Sequence, residues 1–228
     1  MNSFETKRGK KGQETLERIL QAATYCLAHH GERGATFQKI ADRCGVSQPL
    51  VVHYLRNGDK IFSTVASQIF VQVREKTEKA LAPEMSAEDR IKTYLKISFK
   101  LFKESPENSR LYLMLHYLAN IRDDIRALNS EIKRIAEKRI AGMLSEGVKD
   151  GTFEIVNIPL AAKTIHDALV GFLLSSVSED RPFSDKASLS QLEKMILSSV
   201  RKKDHFPQRS RRARVAGREK NSLKNGFN

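Results

Sequence analysis

Apolar positions in this chain of 228 residues recur every three or four residues. That is the period of amphipathic helices, and the alternation of a half-buried strand is absent. An all-α fold is therefore expected. Leu16, Ile19, Leu20, Ala23, Cys26 and Leu27 form one stripe over residues 14–30, closed by Gly31. Two short helices follow within 36–55, then a longer one over 59–81 with Ile61, Phe62, Val65, Ile69 and Val73 on its buried side. Pro83 closes it. Ile91, Tyr94, Leu95, Phe99 and Phe102 mark the next helix, broken by Ser105-Pro106. An unusually apolar helix comes next, ENSRLYLMLHYLAN, followed by a long one over 123–148. Residues 152–158 read as a short extended connection. The last two helices are LAAKTIHDALVGFLLSSV, apolar almost all round, and SLSQLEKMILSSV.

The stretch 36–55, TFQKIADRCGVSQPLVVHYL, organises the rest. Phe37, Ile40 and Ala41 share one face of its first helix. Gly45 stops that helix, because glycine takes the left-handed conformation without steric cost. Ser47 suits the N-cap of the second helix, and Pro49 falls in its first turn, where a missing N–H does no harm. Val46, Val51 and Leu55 turn inward. Gln48, Pro49, Val52 and His53 are left on the outer face. A short helix with a buried apolar edge and an uncharged polar outer edge suits the DNA major groove. Two short helices and a glycine turn alone are common in all-α proteins. The preceding amphipathic helix and the Gly-Val-Ser turn together raise this stretch to a helix-turn-helix.

The pattern resembles the tetracycline-repressor-type (TetR) family. The residues that carry it are ETLERILQAATYCLAHHG, Thr36, Ile40-Ala41, Gly45-Val46-Ser47 and His53-Tyr54, specifically over about residues 14–65. The chain departs from the family where Val52 stands for Tyr, Leu55 for Phe and Gly58 near the usual Lys. At Val52 and Gly58 the chain lacks the side chains of two customary phosphate contacts; Arg56, Lys60 or the backbone amides at the start of the next helix are candidate replacements. The resemblance implies an N-terminal three-helix DNA-binding domain and a C-terminal helical ligand-binding and dimerisation domain. The expected boundaries are a basic arm at 1–12, the DNA-binding domain at 13–58, the regulatory domain at 59–203 with 59–81 as linking helix, and a basic tail at 204–228. It also implies a bacterial, cytoplasmic, nucleoid-associated homodimer on double-stranded operator DNA, released by a small-molecule effector.

Charge sharpens the picture. The net charge is +13, concentrated in the tails: +3 in residues 1–12, +6 in 205–228 and about +4 between. Basic tails on a DNA-binding body attract phosphate. The DNA contacts expected are Thr36, Gln38, Ser47, Gln48, Pro49, Val52, His53, Tyr54 and Lys60, with Lys10 and Lys11 from the arm. Gln48 is the leading base reader, since an amide pairs bidentately with adenine.

No apolar run long enough to cross a membrane is expected, and no signal peptide: basic residues in MNSFETKRGKKG are not followed by an apolar stretch. Cys26 and Cys44 lack metal-ligand spacing and read as reduced, buried thiols. No metal or other cofactor is expected. There is no phosphate loop, zinc pair or nucleophile–base motif, and His166-Asp167 on one helix is a weak catalytic signal, so an enzyme is disfavoured.

Tyr94, Phe99, Phe102, Tyr112, Met114, His116, Tyr117 and Phe172 are candidates to line an effector pocket, although residues of these types are individually more often core than pocket lining. Their apolar and aromatic character suits an apolar or amphipathic ligand. Ile165, Leu169, Phe172, Leu173, Leu189, Leu192, Ile196 and Val200 are the expected dimer interface, because a helix apolar on two faces must bury two. The rival reading is a structural DNA-binding protein that uses its basic tails without sequence preference.

Overall fold

A computed structural model describes residues 9–55, 60–103, 105–178 and 185–202. The charge-rich segments 1–8 and 203–228 lie outside the described residues, so the expected arm contacts of residues 1–8 and the basic tail are not placed. Among the described residues the fold is all-α. In chain order the helices are α1 (Lys10–Gly34), α2 (Phe37–Cys44), α3 (Gln48–Leu55), α4 (Ile61–Ala80), α5 (Ala87–Lys103), α6 (Pro106–Leu118), α7 (Asp123–Lys149), α8 (Ile158–Ser178) and α9 (Asp185–Val200).

Local chemistry explains most of the boundaries. α1 breaks at Gly31, whose φ of 67° is left-handed. It begins at Lys10, so Lys10 and Lys11 stand in its first turn and not in a separate arm. The Ser105 side chain caps α6 by accepting the Asn108 amide at 3.3 Å, with Pro106 at the start. Ser86 caps α5 in the same way through the Asp89 amide. Glu88 and Asp89 open α5 and Lys100 and Lys103 close it, as the helix dipole favours. The connection after α7 is extended, and Phe153 forms an isolated antiparallel bridge with Arg201. Phe153 seats directly on Gly147 of α7, where a Cβ would stand 2.1 Å from its ring.

Two hydrophobic cores result. The first joins α1, α2, α3 and the start of α4 and is closed by Leu111, Leu115 and Leu118 of α6 and Ile125 of α7. The second unites α5, the C-terminal half of α7, α8 and α9. α6 therefore belongs physically to the N-terminal head while it borders the body. Ion pairs reinforce this seam: Glu107 of α6 lies 3.5 Å from His29, and Arg122 lies 2.5 Å from Glu32 at the end of α1.

The structure corrects two expectations. Ile165, Leu169, Leu173, Leu192, Ile196 and Val200 are all buried in the second core of a single chain, and Phe172 and Leu189 pack against it. The six buried residues form the inside of α8 and α9, as a helix buried in the core of one chain requires, while Phe172 and Leu189 stay half-buried. Helical periodicity reports that two faces are apolar and does not say which one turns inward. The outer faces carry Leu160, Thr164, Ala168, Gly171 and Ser175 on α8 and Met195 on α9, all exposed. The second correction is that residues 158–175 of α8 are long and apolar enough to cross a membrane by length and composition. In this fold the helix buries one side against the core, and its Lys163 and Asp167 pair with each other.

Candidate DNA interface and effector cavity

The helix-turn-helix forms as its residues dictate. Thr36 Oγ1 accepts the Lys39 amide at 3.3 Å and starts α2. Gly45 ends α2 at φ 66°, and the Val46 amide returns to the Ala41 carbonyl at 3.2 Å. The Ser47 carbonyl accepts the amides of Leu50 and Val51, opening α3. Val51 and Leu55 are buried, which fixes the roll of α3 about its axis. Gln48, Pro49, Val52 and His53 consequently face outward together, and all four are exposed.

Around this face stand Thr36, Gln38, Ser47, Lys10, Lys11 and Lys60, each exposed. Gln38 donates its Nε2 to Asp42 Oδ1 at 2.6 Å, leaving its carbonyl oxygen as the end for a DNA contact. Tyr54 departs from expectation. It is half-buried, and its hydroxyl donates to the Gly12 carbonyl at 3.2 Å. It ties α3 to the first turn of α1, so its role is positional before it is a phosphate contact. Lys39, exposed on α2 beside Thr36, is a further cation that periodicity did not single out. Both cysteines are buried and free, and burial pushes both thiols up.

The body holds an open-mouthed cavity of about 500 Å³ between α4, α5, α6, α7 and α8. Of the eight expected lining residues, Tyr94, Phe102 and Tyr112 line it. The other five do not. Phe99 and Phe172 pack on each other, ring centroids 5.6 Å apart, in the second core. Met114 packs on the first core. Tyr117 points outward and is 67% exposed. His116 lies edge-on to the Tyr112 ring behind the wall. The misassignments share a cause: successive residues on a helix project about 100° apart, so an apolar run such as 111–118 cannot all face one space.

Sequence reasoning missed the polar part of the lining: Thr77, Arg139 and His166. Arg139 is paired with Glu78 at 2.9 Å. His166 is 6% exposed, and its Nδ1 has no hydrogen-bond partner. Burial, aided by nearby Lys133, pushes its pKa down to about 4. Burial also raises the phenols of Tyr94 and Tyr112. All three are neutral at physiological pH. Among the described residues no group of three or more metal-ligating side chains is gathered.

Among the described residues an exposed short helix from a glycine-turned pair stands above a helical body with a cavity, the architecture of a helix-turn-helix domain joined to an all-α body. Residues 19–65 match the sequence profile of bacterial regulatory proteins of the tetR family. The match covers the second half of α1, the helix-turn-helix and the start of α4. Among curated proteins the chain is 22% identical over 121 residues to the regulator BetI of Rhizobium meliloti, covering 52% of this chain and 60% of BetI. It thus spans well under two thirds of that relative. It is also 22% identical over 204 residues to the transcriptional repressor AcnR of Corynebacterium efficiens, covering 86% of this chain and 97% of AcnR. Among solved structures, a transcriptional regulator from Saccharomonospora viridis in complex with choline superposes with a TM-score of 0.71 at 16% identity, over 84% of this chain and all of that one. That similarity is one of fold.

Proposed function

We propose that this protein is a homodimeric transcriptional repressor that leaves a palindromic operator when a small, largely apolar molecule enters the body cavity. The observation that carries this is the pairing of an outward-facing α3 with a largely apolar cavity through one shared helix. α6 lines the cavity with Asn108 and Tyr112 and packs Leu111, Leu115 and Leu118 into the core of the DNA-binding head. A ligand that favours one seat of α6 favours one placement of the head. The repressor sense is supported by the likeness to AcnR, and the effector by the cavity and by the choline-bound neighbour of like fold.

The dimer would use the outer faces of α8 and α9. Thr164, Ala168, Gly171 and Ser175 make a shallow track of small residues, flanked by Leu160 and Met195, each 58% exposed. Two α3 helices would then enter successive major grooves about one turn apart. The test is fluorescence anisotropy on duplex DNA from upstream of the protein's own gene and on a scrambled duplex, across a salt series. Preference of about a thousandfold or more is expected at physiological salt. Equal affinity with a steep salt slope, abolished by deleting residues 205–228, would replace this reading with non-specific binding by the tail.

A further inference from the structure

The polar groups of the cavity wall define what it selects, given that the cavity is the effector site. Each charged side chain on the lining already has a partner. Arg139 and Arg74 both lie on Glu78, at 2.9 and 3.8 Å, and Glu131 holds Arg134 at 2.7 Å. The serine and threonine hydroxyls turn back onto their own helices: Ser67 donates to the Ser63 carbonyl, Thr77 to Val73 and Ser98 to Tyr94, at 2.7 to 2.8 Å. Among the described residues, one lining side chain keeps a fully buried polar atom without a partner, Nδ1 of His166, so the ring must turn for a molecule in the cavity to reach it. The rest of the wall is dominated by aliphatic and aromatic carbon, including Phe70, Leu101, Ile132 and Leu169.

A buried polar atom without a partner costs free energy that a ligand recovers by bonding to it. A neutral imidazole presents either a donor or an acceptor at Nδ1, depending on its tautomer. A hydroxyl satisfies both cases, because it donates and accepts. A carboxylate satisfies only the first and would have to draw Arg139 away from Glu78. A quaternary ammonium satisfies neither and would leave a cation desolvated in a wall with no free anion.

We propose that the cavity binds an uncharged, mainly apolar molecule carrying a hydroxyl, and that the His166 imidazole, its ring turned toward the ligand, is the group that recognises it. The chemistry is that of a long-chain or polycyclic alcohol.

The test is direct binding to the full-length protein without DNA, by calorimetry and thermal shift, with three probes of one chain length: decanol, decanoate and decyltrimethylammonium. Decanol is expected to bind about tenfold or more tighter than either charged probe, the scale of one hydrogen bond regained in a buried site. His166→Leu should weaken decanol about tenfold and leave the charged probes unchanged. His166→Gln, which retains a hydrogen-bonding side chain, should keep part of the preference. In the wild type, decanol should shift the ring nitrogen resonances of a single buried histidine, a readout independent of variant folding. Tighter binding of a charged probe, no binding of decanol, or undiminished decanol affinity in His166→Leu would overturn the proposal. Because DNA is absent from this assay, its failure leaves operator binding standing. Failure of operator binding likewise leaves the assignment of His166 intact.

Discussion

At the scale of single residues, two side chains carry most of the chemistry. Gln48 stands exposed at the first position of α3, free to reach a base edge. Gln48→Ala is expected to cost about 1–3 kcal/mol on the operator and little on random DNA; anisotropy on both duplexes measures the difference, and equal losses would remove its base-reading role. Its position was readable from sequence, since Val51 and Leu55 set the inward edge and therefore the outward one. His166 was visible only as a histidine in an apolar helix. That its ring ends in a cavity is a tertiary fact, and no local pattern encodes it. Its lowered pKa has a consequence for stability. Between about 6.5 and about 4 the unfolded chain takes up a proton that the fold refuses. Lys133, Lys163 and His116 disfavour that proton, and Asp167 partly offsets them. Stability therefore falls as pH drops through this window and the effect levels off below it. The loss near pH 5 is on the order of 1–2 kcal/mol. Denaturant melts at pH 7 and 5 should show it, and His166→Leu should flatten it. Glu88, held at about 2 by Arg201 and Lys92, loses its contribution in a lower window, as pH falls from about 4.5 towards 2, so the two are separable.

At the scale of elements, helix positions were legible and helix orientations were not. The breaks at Gly31, Gly45 and Ser105-Pro106 follow from backbone chemistry that any reader of the chain can apply. The inward faces of α8 and α9 depend on which neighbours they meet, and both of their faces are apolar enough to be buried. α6 shows the same limit: Leu111 and Leu115 close the head, Tyr112 meets the cavity, and Leu113 and Tyr117 face outward. α7 and the extended segment after it fit through a missing side chain. Gly147→Ala would drive a methyl into the Phe153 ring, and overpacking of this kind costs about 1–3 kcal/mol. A lowered urea midpoint with an unchanged slope is the expected result. Neither the glycine nor the aromatic ring suggests this contact alone; their close approach across the turn at Asp150 and Gly151 creates it.

At the scale of the whole molecule, α8 turns His166 and Leu169 to the cavity and the small-residue track of Thr164, Ala168 and Gly171 to the outside. Gly171 faces outward, and a Cβ there meets nothing within 4 Å. Gly171→Arg is therefore expected to leave the folded chain intact while placing a bulky charge in the small-residue track. Light scattering after gel filtration should then report a monomer, and operator affinity should fall toward that of a single half-site. A dimer of unchanged mass would move the interface elsewhere.

The two thiols offer a further use. Cys26 and Cys44 are the chain's only cysteines, both lie in the core of the DNA-binding head, and both are kept protonated by burial. A thiol reagent thus stays silent until the head opens, and the body contributes no background. The labelling rate is a clock for the opening of one domain inside an otherwise intact protein. Timed with and without an effector, it reports whether that signal loosens the reading head or only moves it.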